Sequence, residues 1–269
     1  MNIKFFDSHA HYFDRRFETE GESADRILRE EVFLKNVSCV INVATNADTA
    51  ILCIEQAKRY DGMYVAVGLH PEDIAYCKRT IEDELETIKK IIGDEKERVE
   101  KKIVALGEIG LDYHYDGFDK LLQAKCFDAQ MEMARDLKLP VIIHDREAHG
   151  DSFETVLRHK EVRGVFHSYS GSAEMAAELI KRGWYISFSG VVTFKNASRV
   201  REVVASIPLD RILIETDCPY LAPHPYRGKL NHSGLLEYTA MAIAEIKGID
   251  LEKIAEITTQ NTKELFSIK

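Results

Sequence analysis

Imidazoles and carboxylates recur at the ends of short apolar runs in this sequence. Asp7, His9 and His11 close IKFFDSHAH, and His70 closes YVAVGLHP. Glu108 and Asp112 fall in IVALGEIGLD, His144 and Arg146 end LPVIIHDR, His167 lies in GVFHSYSG, and Glu215 and Asp217 lie in RILIETDCP. His9 and His11 are two apart, so on an extended strand both side chains point the same way and can grip one ion. With Glu108, His144, His167 and Asp217 added, the donors exceed what one four-coordinate ion takes up. A bridging carboxylate would let two divalent ions sit about 3.5–4 Å apart. Buried carboxylates are costly unless paired or bound to metal, so metal binding explains the set better than separate structural roles. Four imidazoles suit zinc, manganese, iron or nickel better than magnesium, which prefers oxygen.

The elements that must position these groups follow from period. Eight nearly continuous apolar runs, the six above plus SCVINVAT and WYISFSGVV, read as parallel strands buried on both faces. Between them lie longer helical patterns. Ser172 is a cap for MAAELIKRG, with Gly183 as its stop. Asp151 and Glu154 have capping-box spacing ahead of FETVLRHK. Ile81, Leu85, Ile88 and Ile92 form an apolar stripe in TIEDELETIKKIIGDEKERVEKK, read as one solvated helix face. A final helix is expected from about Asp250 to Phe266. No glycine fingerprint follows the first strand, so the alternation points to a (β/α)8 TIM barrel over residues 1–269, a single domain with an extra C-terminal helix. In a barrel the C-terminal strand ends converge on one face, which would gather the scattered polar residues into one pocket.

The chain has 269 residues and a formal net charge of −9, so it lacks the global field that drives non-specific duplex binding. No apolar run approaches a membrane span, and Lys4 and Asp7 stand where a signal peptide would need an apolar stretch. A cytoplasmic protein is expected, with no membrane association and no stable protein partner. The five cysteines are an odd number without CxxC spacing, against a disulfide framework or thiolate zinc site. Cys39 and Cys53 read as small core residues and Cys218 as a neutral spacer.

His70, Arg146, Arg227 and Lys229 are the candidates for substrate contact. Each has a plainer reading: a structural hydrogen bond for His70, a carboxylate partner for Arg146, and exposed solubility charge for Arg227 and Lys229. His114, His224 and His232 lie in loops where substrate contact and structural roles compete, and His149 and His159 read as exposed helix residues. Tyr113, Tyr169 and Phe194 could stack on bases or simply pack.

The segments FFDSHAH, VGLHPED, ALGEIGLDYHYD, LPVIIHDRE, VFHSYSGS, ILIETDCPYLAP, RGKLN and QNTKELF together resemble the TatD family of metal-dependent deoxyribonucleases, a branch of the amidohydrolase-like barrels. The resemblance spans about residues 5 to 267. It implies that His9, His11, Glu108 and Asp217 hold one ion, with Glu108 bridging to a second held by His144 and His167. It further implies hydrolysis of DNA; the −9 charge fits a nuclease acting at ends or on single strands, and Asp217, beside the ion, can act as general base and later proton donor. The family is often assayed with magnesium. One departure stands out: the family commonly continues RGK with Asn-Glu-Pro, whereas here Asn231 is followed by His232 and Ser233.

Two other readings use the same residues. A dinuclear lactonase or imidase would act on a small carbon ester or amide. Related barrels often bridge their metals with a carboxylated lysine at the fourth strand, where this chain has Glu108. The other alternative is a metal-stabilised, non-catalytic scaffold, which expects Asp217→Asn to leave cellular activity untouched.

Overall fold

Residues with β-branched and aromatic side chains, flanked by turn formers, fold as strands wherever both faces can be covered. The computed structural model describes residues 3–269. Its strands are β1 (Phe5–Ala10), β2 (Val37–Val43), β3 (Met63–Val67), β4 (Ile103–Asp112), β5 (Val141–Arg146), β6 (Gly164–Phe166), β7 (Tyr185–Phe188) and β8 (Ile212–Ile214). They form one eight-stranded sheet in the order β1-β2-β3-β4-β5-β6-β7-β8, the topology of a (β/α)8 barrel. Each expected apolar run matches one strand, with β2 and β3 starting one residue earlier than their runs.

The chain packs as two units. The first comprises the residues up to Asn42 together with His167–Lys181 and Tyr185–Lys269. Here β1 pairs with β2 and β7 with β8, all parallel. The first and last strands also meet: Ala10 bridges Cys218, the Asp217 N–H donates to the His9 carbonyl at 2.9 Å, and the His11 N–H donates to the Cys218 carbonyl at 2.7 Å. Phe5, Phe6, Ile186, Phe188 and Leu213 are buried in this unit. After β8 come two helices, Leu236–Lys247 and Leu251–Leu265. The first completes the eighth β/α unit and the second is the extra helix expected from the sequence.

The second unit comprises Val43–Phe166 and Arg182–Trp184, and holds β3 to β6. In the β4–β5 pair, Gly110 stands opposite His144 and Asp112 opposite Arg146. Gly110 has φ +142°, and a Cβ there would run into the His144 carbonyl. Only glycine permits that approach.

Several local expectations change. The segment read as one helix face is two helices, Ile81–Ile92 and Glu95–Lys101, divided at Gly93, whose φ is +69°. Asp94 then caps the second helix through a capping box with Glu97, which the continuous charge pattern concealed. The helix expected to start near Asp151 runs from His149 to Arg158 with no side-chain cap. Asp151 instead accepts a hydrogen bond from the Tyr113 hydroxyl at 2.7 Å. Ser172 does cap its helix, accepting from the Met175 N–H at 3.2 Å, and Gly183 has φ +84°. Cys53 is buried as expected, but Cys39 is only half-buried. Among the described residues, no helix is long and apolar enough to cross a membrane.

Candidate metal centre

In the first unit, His9 near the end of β1 and His11 just past it bring their rings together, as their spacing predicts. Their Nε2 atoms lie 3.0 Å apart. Asp217 Oδ1 lies 3.2 Å from His11 Nε2 and 3.8 Å from His9 Nε2. The His167 ring stacks on His9, with centroids 4.1 Å apart and planes 13° from parallel. Asp217 holds a left-handed φ of +56°, a conformation that costs free energy outside glycine and concentrates at functional sites. Burial pushes its carboxyl up, but the hydrogen bond from His11 and the charges of His11, His167 and His9 outweigh that and hold it below the ordinary Asp range.

Glu215 stands beside this group, fully buried. Its Oε1 accepts the Ser168 N–H at 2.6 Å and lies 3.2 Å from His167 Nδ1. Its Oε2 is buried and has no hydrogen-bond partner among the described residues. Asp7, also buried, accepts from the Thr216 N–H at 2.9 Å, the Thr216 hydroxyl at 2.5 Å and the His9 N–H at 3.2 Å. Burial raises its carboxyl to about 7 against the pull of those bonds.

In the second unit, Gly110 lets the β4 backbone approach that of His144, and the His144 ring lies between Glu108 and Asp112. His144 Nδ1 lies 2.6 Å from Glu108 Oε1, and its Nε2 lies 2.9 Å from Asp112 Oδ2. Asp112 Oδ1 also accepts the His114 N–H at 2.9 Å. Burial would raise the Asp112 carboxyl, yet the bonds from His144 and His114 and the His144 charge leave it at about 2. His70 Nε2 lies 3.4 Å from Glu108 Oε1. The Glu72 N–H donates to His70 Nδ1 at 3.1 Å, so in the neutral ring Nε2 carries the proton and can only donate. His70 is therefore a hydrogen-bond donor here, which fits substrate contact or orientation of Glu108 better than metal ligation. Burial, aided by the Asp112 carboxylate, raises the Glu72 carboxyl, partly offset by His70.

A divalent cation fits what both units present. Two groups confined to single units bring their donor atoms within 4.8 Å of one another: His9, His167 and Glu215, and His70, Glu108 and His144, where the His70 tautomer leaves Glu108 and His144 as the groups able to hold an ion. Buried carboxylates, one of them with an orphaned oxygen, and imidazole nitrogens at van der Waals distance or less are the arrangement a cation relieves.

The other sequence candidates are more scattered. Arg146 is 42% exposed on its side chain, with Nη1 3.9 Å from both Glu72 and Asp112 and its guanidinium 5.2 Å from the Tyr115 ring centre. Arg227 lies over the Phe194 ring at 4.6 Å, and Lys229 is exposed. Neither makes an ion pair among the described residues. His224 is exposed, and His114 pairs with Glu147 at 2.6 Å. His149 and His159, expected to be free in solvent, are tied to Asp145 at 2.7 Å and Asp128 at 2.8 Å. His232 is half-buried, and burial lowers its pKa. Ser233 accepts a hydrogen bond from the Tyr12 hydroxyl at 2.8 Å. The thiol of Cys218 is buried and pushed up to about 12 by burial and the Asp7 charge, as an inert spacer requires.

Of the aromatics, Tyr169 is buried with its hydroxyl on the Ser172 carbonyl, which removes it as a stacking surface. Two exposed rings, Tyr76 at 75% and Tyr115 at 48%, carry no local pattern that marks them in the sequence. Both pack edge-on to Phe118, with centroids 6.4 Å and 6.1 Å apart. Asp112 and Glu215 were legible as strand-end carboxylates, but nothing local distinguished them from ligands.

A family model described as TatD related DNase matches residues 6–267. The chain is 41% identical over 266 residues to YabD of Bacillus subtilis, named an uncharacterized metal-dependent hydrolase, covering 98% of this chain and 99% of that one. The crystal structure of YJJV, a TatD homolog from Escherichia coli, matches with a TM-score of 0.89 at 28% identity over 100% of both chains. The phosphotriesterase homology protein of Escherichia coli, solved with phosphate in its active site, matches with a TM-score of 0.67 at 14% identity over 99% of both chains; that likeness is one of fold.

Proposed function

Because the chain belongs to the TatD related DNase family of metal-dependent hydrolases, we propose that it hydrolyses phosphodiester bonds of DNA, acting on single strands or ends. The observation that carries the reading is the buried donor set, above all the paired Nε2 atoms of His9 and His11 facing Asp217. Following the family pattern, His9, His11, Glu108 and Asp217 would hold one divalent ion, and Glu108, His144 and His167 a second. Bound there, the ions supply Lewis acidity that polarises the phosphate and makes water a competent nucleophile near neutral pH.

The chain's own groups supply the rest. Asp217, held below the ordinary Asp range, is ionised at neutral pH and can receive the proton of the attacking water. It then returns that proton to the leaving oxygen. His70 offers Nε2–H toward a phosphate oxygen, and Arg146, Arg227 and Lys229 offer charge to flanking phosphates. The exposed rings of Tyr115 and Tyr76, with Arg146 over the former, support a single-stranded substrate, because only unpaired bases can stack on them. We place this activity in a single cytoplasmic hydrolase domain spanning the chain.

The test is product mapping with purified protein on end-labelled single-stranded and duplex DNA, beside a panel of lactones. Cleavage of single-stranded DNA ahead of duplex, with lactones untouched, is the expected result. Turnover of lactones without any DNA cleavage would replace this reading with the amidohydrolase one.

A further inference from the structure

Two buried carboxylates that the family's ligand pattern does not use sit next to His144 of β5 and His167 just after β6. Asp112 uses both oxygens: Oδ1 accepts the His114 N–H at 2.9 Å, and Oδ2 faces His144 Nε2 at 2.9 Å. The opposite nitrogen of the same ring, Nδ1, faces Glu108 at 2.6 Å. Glu215 is anchored by the Ser168 N–H at 2.6 Å and faces His167 Nδ1 at 3.2 Å, so Nε2 is the nitrogen of that ring that would turn to a cation. Both carboxylates are fully buried.

We propose that Asp112 and Glu215 are positioning residues, each holding one ring nitrogen of a metal-binding histidine so that the other nitrogen presents its lone pair. Asp112 does so for His144 and Glu215 for His167. An imidazole whose distal N–H donates to a carboxylate is fixed in tautomer and orientation and is a more basic ligand. The inference rests on the metal-centre reading above and concerns this chain's residues alone. The two sites differ in one consequence. In Asp112→Asn, the backbone bond from His114 retains the amide oxygen, so the amide NH2 turns to His144 Nε2. That makes Nε2 the acceptor and moves the ring proton to Nδ1, where a ligand lone pair is required. In Glu215→Gln, both partners sit on one oxygen, so the amide oxygen keeps both bonds, while the negative charge is lost and an NH2 takes the place of the partnerless Oε2.

The experiment measures Zn2+ affinity of the full chain by competition with a chromophoric chelator, alongside 15N spectra of the histidine rings. The zinc-loaded wild type is expected to retain a proton on His144 Nε2 and on His167 Nδ1. Zinc affinity should fall roughly 10- to 100-fold in Asp112→Asn and by less in Glu215→Gln. The ring proton of His144 should shift to Nδ1 in metal-free Asp112→Asn, a change that a merely structural role would not produce. Wild type that binds zinc without those ring protons, or variants that bind zinc as wild type does, would overturn the inference and leave the metal centre standing. Wild type that takes up no zinc would remove both. The ring spectra of wild type carry the test even if a variant fails to fold.

Discussion

Asp217 concentrates three properties that rarely coincide: a left-handed backbone, contact with two imidazoles, and a carboxyl held below its ordinary range. Asp217→Asn keeps the shape and removes the proton acceptor. We expect kcat on DNA to fall by roughly 10²–10⁴-fold with little change in substrate affinity, measured by single-turnover kinetics and filter binding. A change confined to KM would count against the proton-transfer role. At this scale the sequence was informative where donors share one strand, as His9 and His11 do. It was silent where a partner arrives from another strand. Asp112 and His144 meet only through the β4–β5 register, and His159 finds Asp128 on a different helix. Tertiary pairing of that kind leaves no local pattern.

Elements hold the donors in place, and β4 does so through a missing side chain. Gly110→Ala would force a Cβ into the His144 carbonyl at a φ that L-residues avoid, costing about 1–3 kcal/mol. A thermal melt should show Tm lowered by about 2–8 °C, with weaker zinc uptake because His144 is displaced. An unchanged melt and unchanged uptake would show that the strand adapts. On the outer helices, burial raises the Asp128 carboxyl, but bonds from His159 and Arg158 outweigh it and keep it below its ordinary value. A depressed folded pKa adds stability above the unfolded value and loses it as pH falls through the folded one. Asp128→Asn should therefore lower Tm at pH 7, and the difference from wild type should shrink as pH falls below the ordinary Asp value of about 3.9 and through the lower folded one. With the Asp128 side chain 41% exposed, screening limits the effect to ~1 kcal/mol. The strands were readable from the sequence because burial on both faces writes continuous apolar runs. The break at Gly93 and the start at His149 were not, since caps and helix starts depend on one or two bonds that charge patterns mask.

At the scale of the whole molecule, a chain with net charge −9 would attract the proposed DNA substrate only through local cations. Divalent ions at the strand ends would supply that attraction and the chemistry together. The fold class was legible from eight repeats of one pattern, and the family match over residues 6–267 agrees with it. The role of the loop that carries Asn231, His232 and Ser233 was not legible, because its departure from the family pattern has no local precedent. Ser233 is seen to exchange hydrogen bonds with the Tyr12 hydroxyl. The most direct test of the account is to strip the purified protein with excess EDTA, remove the chelator, and follow cleavage of end-labelled single-stranded DNA as Zn2+ or Mn2+ is titrated back. The account predicts that cleavage disappears on stripping and returns to a plateau near two ions per chain. Full cleavage in the presence of excess EDTA, with contaminating nuclease removed, would contradict it.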